Sequence, residues 1–108
     1  MSNKEQTPPI NWYKDLKERF PEIMEKYEAL GTAVHTLGPL DSRVRALIKI
    51  ALAGSSRHHR SLVTQVRKGK AAEVSKEEME QVALLAIPTL GFPKAMSMLR
   101  IIDEEYDK

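Results

Sequence analysis

Apolar residues recur at intervals of three and four along much of this chain, and no other feature constrains its fold as strongly. The first such stripe consists of Trp12, Leu16, Phe20, Ile23, Tyr27, Leu30 and Val34. This spacing places their side chains on one face of an α-helix. No stretch alternates apolar and polar residues as a half-buried strand does. The sequence therefore predicts an all-α fold, a compact bundle of about five to six helices.

Local chemistry marks the first helix boundaries. Proline fits the first turn of a helix but not its interior, so one helix is predicted to end at Phe20 and a second to run from Pro21 to about Thr36. Asp41 is a residue type that caps helix N-termini, and it predicts a third helix that ends near Gly54.

The same kind of signal marks the helices of the C-terminal half. Ser55 and Ser56 are expected to cap a fourth helix that extends to about Ala72. The segment SKEE, which begins at Ser75, has the pattern of a capping box and predicts the next helix start. Pro93 suits the first position of a last helix.

The length of the chain, 108 residues, allows one core but not two, so a single domain is expected. The first ten residues are polar and lack periodicity, which predicts a flexible tail at 1–10 before a helical domain at 11–108. The longest apolar run, from Val82 to Pro88, is too short to cross a bilayer, and no segment resembles a signal peptide. We therefore expect a cytoplasmic protein.

Basic residues are concentrated in the middle of the chain. Residues 42–72 contain eight Lys or Arg and no Asp or Glu, although the net charge of the chain is only +2. Two interpretations stay open: these helices face acidic helices of the same or a neighbouring subunit, or they attract a small anionic molecule. Nucleic acid is disfavoured as a partner, because the basic segment lacks interleaved aromatic residues and matches no known nucleic-acid-binding motif.

The chain contains no cysteine, which excludes disulfides, thiolate metal sites and thiol nucleophiles. It does contain two adjacent histidines, His58 and His59. On a helix they diverge by about 100°, and neither is followed by His, Asp or Glu three or four residues later, so they do not match a helical metal site. We therefore expect no metal and no cofactor.

The two histidines fall on different faces of the predicted fourth helix. His59 shares the apolar face with Leu62 and Val66 and is expected to pack there. His58 falls on a polar arc that also contains Gly54, Ser61, Gln65 and Gly69. The glycines would give a ligand close access, so this arc is a candidate cleft. The alternative is that these polar side chains only satisfy helix ends and neighbouring chains.

The order of segments resembles a known family over roughly residues 20–102. The segments that carry the resemblance are LDSRVRALIKIALA, SKEEMEQV and GFPKAM. They are similar to the carboxymuconolactone decarboxylase and AhpD-like alkylhydroperoxidase family. This resemblance implies compact all-helical subunits that assemble into homo-oligomers, commonly trimers or hexamers, with active sites close to subunit contacts.

The redox branch of that family carries Glu-x-x-x-Cys-x-x-Cys-x-x-x-His on its motif helix. An ungapped register anchored on Ser75 gives the residues at those four positions as Gly54, His58, Ser61 and Gln65. None of them matches, so thiol-dependent peroxidase chemistry is excluded. The same register places Glu73 where the family usually has glycine, so a local shift of this register stays open as an alternative.

The decarboxylase branch implies a histidine that transfers a proton, and its position here holds Gln65. His58, about two turns earlier on the predicted arc, is the nearest replacement. An imidazole exchanges a proton near neutral pH, as cofactor-free decarboxylation of a lactone acid requires. In this hypothesis Arg57 or Arg60 binds the substrate carboxylate, while Ser61 and Gln65 orient the substrate.

Two functions therefore stay open at the level of sequence. The first is a cofactor-independent lyase acting on a small carboxylate or lactone acid. The second is a non-catalytic family member that binds an anion or a protein partner. A pocket in which His58, Gln65 and an arginine converge would favour the lyase, whereas a filled and exposed polar arc would favour the binding protein.

Overall fold

The structure, a computed structural model, describes residues 12–108, and all its regular elements in that range are helices. The helices are α1 (Trp12–Arg19), α2 (Pro21–Thr36), α3 (Ser42–Gly54), α4 (His59–Ala71), α5 (Lys76–Leu85), α6 (Ile87–Leu90) and α7 (Phe92–Tyr106). The all-α prediction is confirmed for these residues, and the apolar run from Val82 to Pro88 is divided between α5 and the short α6. The predicted tail at 1–10 lies outside the described residues.

The chain divides into two compact units between Gly38 and Pro39. The first contains α1 and α2, and Pro21 occupies the first turn of α2 as predicted. The hydroxyl of Tyr13 on α1 donates a hydrogen bond to the carboxylate of Glu28 on α2. This bond favours the protonated phenol and raises the pKa of Tyr13 to about 12. The expectation of one domain at 11–108 stays a prediction.

The second unit encloses an apolar core between α3, α4, α5 and α7. In this core, α3 packs on α4 and α5, and α7 packs on the same two helices. The buried core residues are Ile50, Leu62, Val66, Val74, Met79, Ala83, Ala86, Ala95, Met98 and Ile102. Their packing fixes the end of α3 and the starts of α4 and α7, which together form the candidate site.

Predicted caps hold the starts of α3 and α5. The amide of Val44 donates to Asp41 Oδ1 at 2.9 Å. The amide of Glu78 donates to Ser75 Oγ at 3.1 Å, and the amide of Ser75 donates to Glu78 Oε1 at 2.8 Å, which completes the capping box. The guanidinium of Arg43 also binds the Glu78 carboxylate and lowers its pKa. This ion pair links the N-terminal ends of α3 and α5.

The C-terminus of α4 is closed by a Schellman motif around Glu73. The amide of Glu73 donates to Lys70 O at 3.0 Å and the amide of Val74 donates to Gly69 O at 2.9 Å, while Glu73 has φ +67°. A residue with a Cβ is strained in this left-handed conformation, which glycine adopts freely. Because the family resemblance expects glycine at this position, the register anchored on Ser75 needs no local shift here.

Replacing Glu73 with glycine should raise the free energy of unfolding by about 0.5–1 kcal/mol, because relief of left-handed strain outweighs the extra freedom of glycine in the unfolded chain. Urea denaturation measures the difference. Glu73→Ala is the matched control, since it removes the same carboxylate but retains the Cβ. Equal stability of the two variants would contradict the strain at this position.

Candidate functional site

The helix that carries the histidines begins later than predicted. α3 ends at Gly54, and α4 begins at His59 with His58 as its N-cap residue, so four residues from Ser55 to His58 connect the two helices. The expectation that Ser55 and Ser56 cap α4 is therefore wrong. The Ser55 hydroxyl donates to Leu52 O and the Ser56 hydroxyl to Ala53 O, both at 2.7 Å. Both hydroxyls thus donate to the last carbonyls of α3, and Ser56 Oγ also accepts a hydrogen bond of 3.2 Å from the amide of His58, but neither serine is the N-cap residue of α4.

The later start removes His58 from the predicted polar arc. Its backbone is extended, with φ −101° and ψ 102°, so its side chain does not follow the helical periodicity of Ser61 and Gln65. His59 occupies the first helical position and is exposed, so the prediction that it packs on the apolar face is wrong. That face is instead filled by the buried Leu62 and Val66.

A small depression lies where the connection between α3 and α4 meets α7. The connection and the first turn of α4 contribute Ser56, His58 and His59, and α7 contributes Lys94 and Ser97. Its apolar part is formed by Ala53, Gly54, Leu62, Met98 and Ile101. The cavity volume is about 10 Å³, which admits roughly one water molecule.

Lys94 is the residue at this site that the sequence analysis missed. Its ammonium group donates a hydrogen bond of 2.7 Å to Ser56 O, and the side chain is half-buried. This bond ties the first turn of α7 to the connection that carries His58. The sequence did contain a signal for Lys94. It directly follows the predicted helix start at Pro93, where a positive charge interacts unfavourably with the helix dipole, so a lysine at this position suggests another role.

The other predicted site residues do not line the depression. Arg57, Arg60 and Ser61 are exposed, and Gln65 is half-buried farther along α4. The structure therefore brings His58 together with His59 and Lys94, and not with Gln65 or an arginine.

The two glycines of the predicted arc are packing positions. A Cβ added at Gly69 would lie 2.9 Å from Met79 Cε and 3.1 Å from Ile50 Cδ1. One added at Gly54 would lie 2.5 Å from Met98 Cε. Gly54 does line the depression, but Gly69 faces the core between α4 and its neighbours. The expectation that both glycines open a cleft is therefore wrong, because the core already fills the space beside Gly69.

Within residues 12–108, no three His, Asp or Glu side chains are grouped so that they could hold a metal ion. None of the helices in this range is both long and apolar enough to cross a membrane.

Most of the chain matches the sequence model of one known family. The sequence model of the carboxymuconolactone decarboxylase family matches residues 21–104, from the first turn of α2 almost to the end of α7. No individual curated protein gives a significant match. The family match covers well over half of the chain and includes the connection with His58 and the start of α7 with Lys94. This protein is therefore a member of the carboxymuconolactone decarboxylase family.

Proposed function

We propose that this chain is a cofactor-independent lyase that removes carbon dioxide from a small carboxylate or lactone acid, with His58 as the proton-transfer residue. The observation that supports this proposal is the meeting of His58, His59 and Lys94 at one depression in a family member without cysteine. An imidazole supplies a proton near neutral pH, and an ammonium group attracts the acid.

The proposed step balances without a further reactant. The carbon–carbon bond to the carboxylate breaks, carbon dioxide leaves, and the bonding electron pair stays on the carbon skeleton. The imidazolium of His58 transfers its proton to that skeleton, so the net change replaces a carboxylate with hydrogen. His58 is exposed, and the neutral imidazole regains its proton from water.

The remaining predicted residues have more distant roles in this proposal. Arg57 and Arg60 are exposed beside the two histidines in the chain and attract an anionic substrate without touching the depression. The predicted orienting role of Ser61 and Gln65 requires a substrate that extends along α4 beyond the depression.

The direct test is release of carbon dioxide from carboxymuconolactone, the compound in the family's name, by the purified protein. A panel of small lactone acids and unsaturated carboxylates extends the assay to other substrates. Turnover supports the lyase, and its absence across the panel contradicts it.

A second candidate, a non-catalytic protein that binds an anion, is favoured by one specific observation. The depression has room for about one water molecule, and Ser61 and Gln65 of α4 do not line it. Saturable binding of a carboxylate without turnover would select this candidate.

We also propose that the protein forms a homo-oligomer, a trimer or hexamer. One side of α3 exposes a stripe of aliphatic side chains: Val44 is 39% exposed, Ile48 41% and Leu52 65%. In the first unit, α2 likewise exposes Ile23 and Leu30. Contiguous apolar stripes of this kind are characteristic of surfaces that contact another chain.

Light scattering at micromolar concentration should give a mass several times that of the 12.2 kDa chain. Leu52→Glu should lower this mass, because it places a charge in the apolar stripe of α3. Gln81→Glu adds the same charge at an exposed polar position of α5 and should leave the mass unchanged. A wild-type protein that stays monomeric would contradict the proposal.

A further inference from the structure

We propose that Lys94 is the carboxylate-binding residue of the depression between the α3–α4 connection and α7. This inference rests on the proposed function, since it concerns the same depression. In this inference the group that contacts the acid is Lys94 of α7, and not the predicted Arg57 or Arg60.

The position of Lys94 supports this role. Of the side chains that line the depression, it is the one that carries a permanent positive charge, and it is half-buried instead of extending into water. Its ammonium group lies 2.7 Å from Ser56 O, on the same connection as His58. A ligand oxygen in the depression would therefore meet the ammonium group while the rest of the ligand faces the imidazole.

The charge of Lys94 lacks a partner among residues 12–108. Some cations of the second unit pair with carboxylates: Arg67 Nε lies 2.6 Å from Glu105 Oε2, and Lys76 Nζ lies 2.9 Å from Asp107 Oδ2. Others, Arg45 and Lys70, donate to backbone carbonyls but lie outside the depression. Lys94 instead donates to a neutral carbonyl, and no carboxylate of the described residues pairs with it. An anionic ligand in the depression would supply the charged partner that the described residues do not provide.

The size of the depression selects the kind of anion. A volume of about 10 Å³ accepts one small atom or water-sized group. One oxygen of a planar carboxylate meets this limit. A phosphate could also insert one oxygen, but its three other oxygens, which are more strongly hydrated, would then have to lose water at the rim. The ligand class is therefore a carboxylate whose remaining atoms lie outside, beside His58.

The experiment titrates the full-length protein with sodium acetate and follows the backbone and imidazole signals of His58 and His59 by NMR. Acetamide, a neutral molecule of similar shape, and inorganic phosphate are titrated in parallel. We expect saturable shifts with acetate, and clearly weaker effects with acetamide and phosphate. Equal responses to all three compounds would overturn the proposed selectivity for a carboxylate.

The variants separate a binding role from a structural one. Lys94→Met should weaken acetate binding at least about tenfold, and Lys94→Arg should retain much of it. Lys70→Met is the matched control, because Lys70 also donates to a backbone carbonyl at 2.7 Å, that of Tyr106, but lies outside the depression. Acetate binding unchanged in Lys94→Met would overturn the inference, as would equal losses in the two methionine variants. Because Lys94→Arg keeps the charge, retained binding in this variant supports a role of the charge, and an NMR spectrum of Lys94→Met that is unchanged away from the depression excludes misfolding as the cause.

Failure of this inference is distinguishable from failure of the proposed lyase. If wild-type protein shows no turnover but binds acetate through Lys94, the lyase fails and the inference stands. If turnover occurs and Lys94→Met leaves KM unchanged, the inference fails and the lyase stands. We expect Lys94→Met to raise KM far more than it lowers kcat, because it removes a binding contact and leaves the His58 imidazole in place.

Discussion

Replacing His58 with alanine should lower the rate of carbon dioxide release at least about a hundredfold, because a positioned general acid contributes roughly that much or more. The variant loses the group that delivers the proton but keeps Lys94 for binding. The measurement is kcat with carboxymuconolactone or with whichever acid of the panel the wild-type protein converts. Thermal unfolding of the variant should stay close to wild type, since His58 is exposed and its side chain does not cap α4 within the described residues.

His35→Ala provides the control for loss of a histidine. Its Nδ1 lies 2.7 Å from Gly31 O within α2, in the other compact unit, so its replacement should leave kcat unchanged. An unaltered rate in His58→Ala, with the rate lost in His59→Ala at unchanged stability, would transfer the proton-transfer role to His59. The structure makes this comparison necessary, because both imidazoles line the depression and both are exposed.

Ile50→Ala should lower the free energy of unfolding by about 2–5 kcal/mol, since Ile50 is fully buried and truncation leaves a cavity. Ile50→Val should cost only about 0.5–1.5 kcal/mol, which gives a graded control at the same site. Denaturant unfolding at a fixed protein concentration compares the three proteins. A loss below about 1 kcal/mol in Ile50→Ala would contradict the packing between α3 and α4.

The same core permits a double-mutant test. A Cβ on Gly69 would lie 3.1 Å from Ile50 Cδ1, so Gly69→Ala should cost less stability in the Ile50→Ala background than in the wild type. Additive effects would show that the two residues are not in tight contact. The contact of the same Cβ with Met79 Cε remains in both backgrounds, so it cancels in the comparison.

Short-range chemistry made part of the fold predictable. Pro21, Asp41 and the capping box at Ser75 each determine a helix start through interactions within a few residues, and the structure places helix starts at all three. The start of α4 was not predictable in this way. A serine hydroxyl can bond forward to amides or back to carbonyls, and the sequence around Ser55 and Ser56 does not decide between them.

The candidate site was harder to predict than the helices because it depends on a long-range contact. Ser56 and Lys94 are 38 residues apart in sequence, and they meet only because α7 packs against α4 beside the end of α3. The periodicity of one helix predicts neither that the backbone of His58 is extended nor that a lysine of another helix lies beside it. His58 was selected for its place on a helical arc, whereas in the structure it lines the depression as the N-cap residue of α4, and its role in proton transfer stays a prediction.

The size of the depression determines how a carboxylate ligand would be distinguished from similar acids. Only one oxygen of the ligand enters the 10 Å³ space, so little apolar area is buried there and charge supplies most of the affinity. Acids that share a carboxylate but differ in their tails present the same atoms to Lys94. On the proposed assignment, the depression would recognise a functional group and not a whole molecule, and discrimination between substrates would depend on surfaces beyond its rim, including those of any neighbouring subunit.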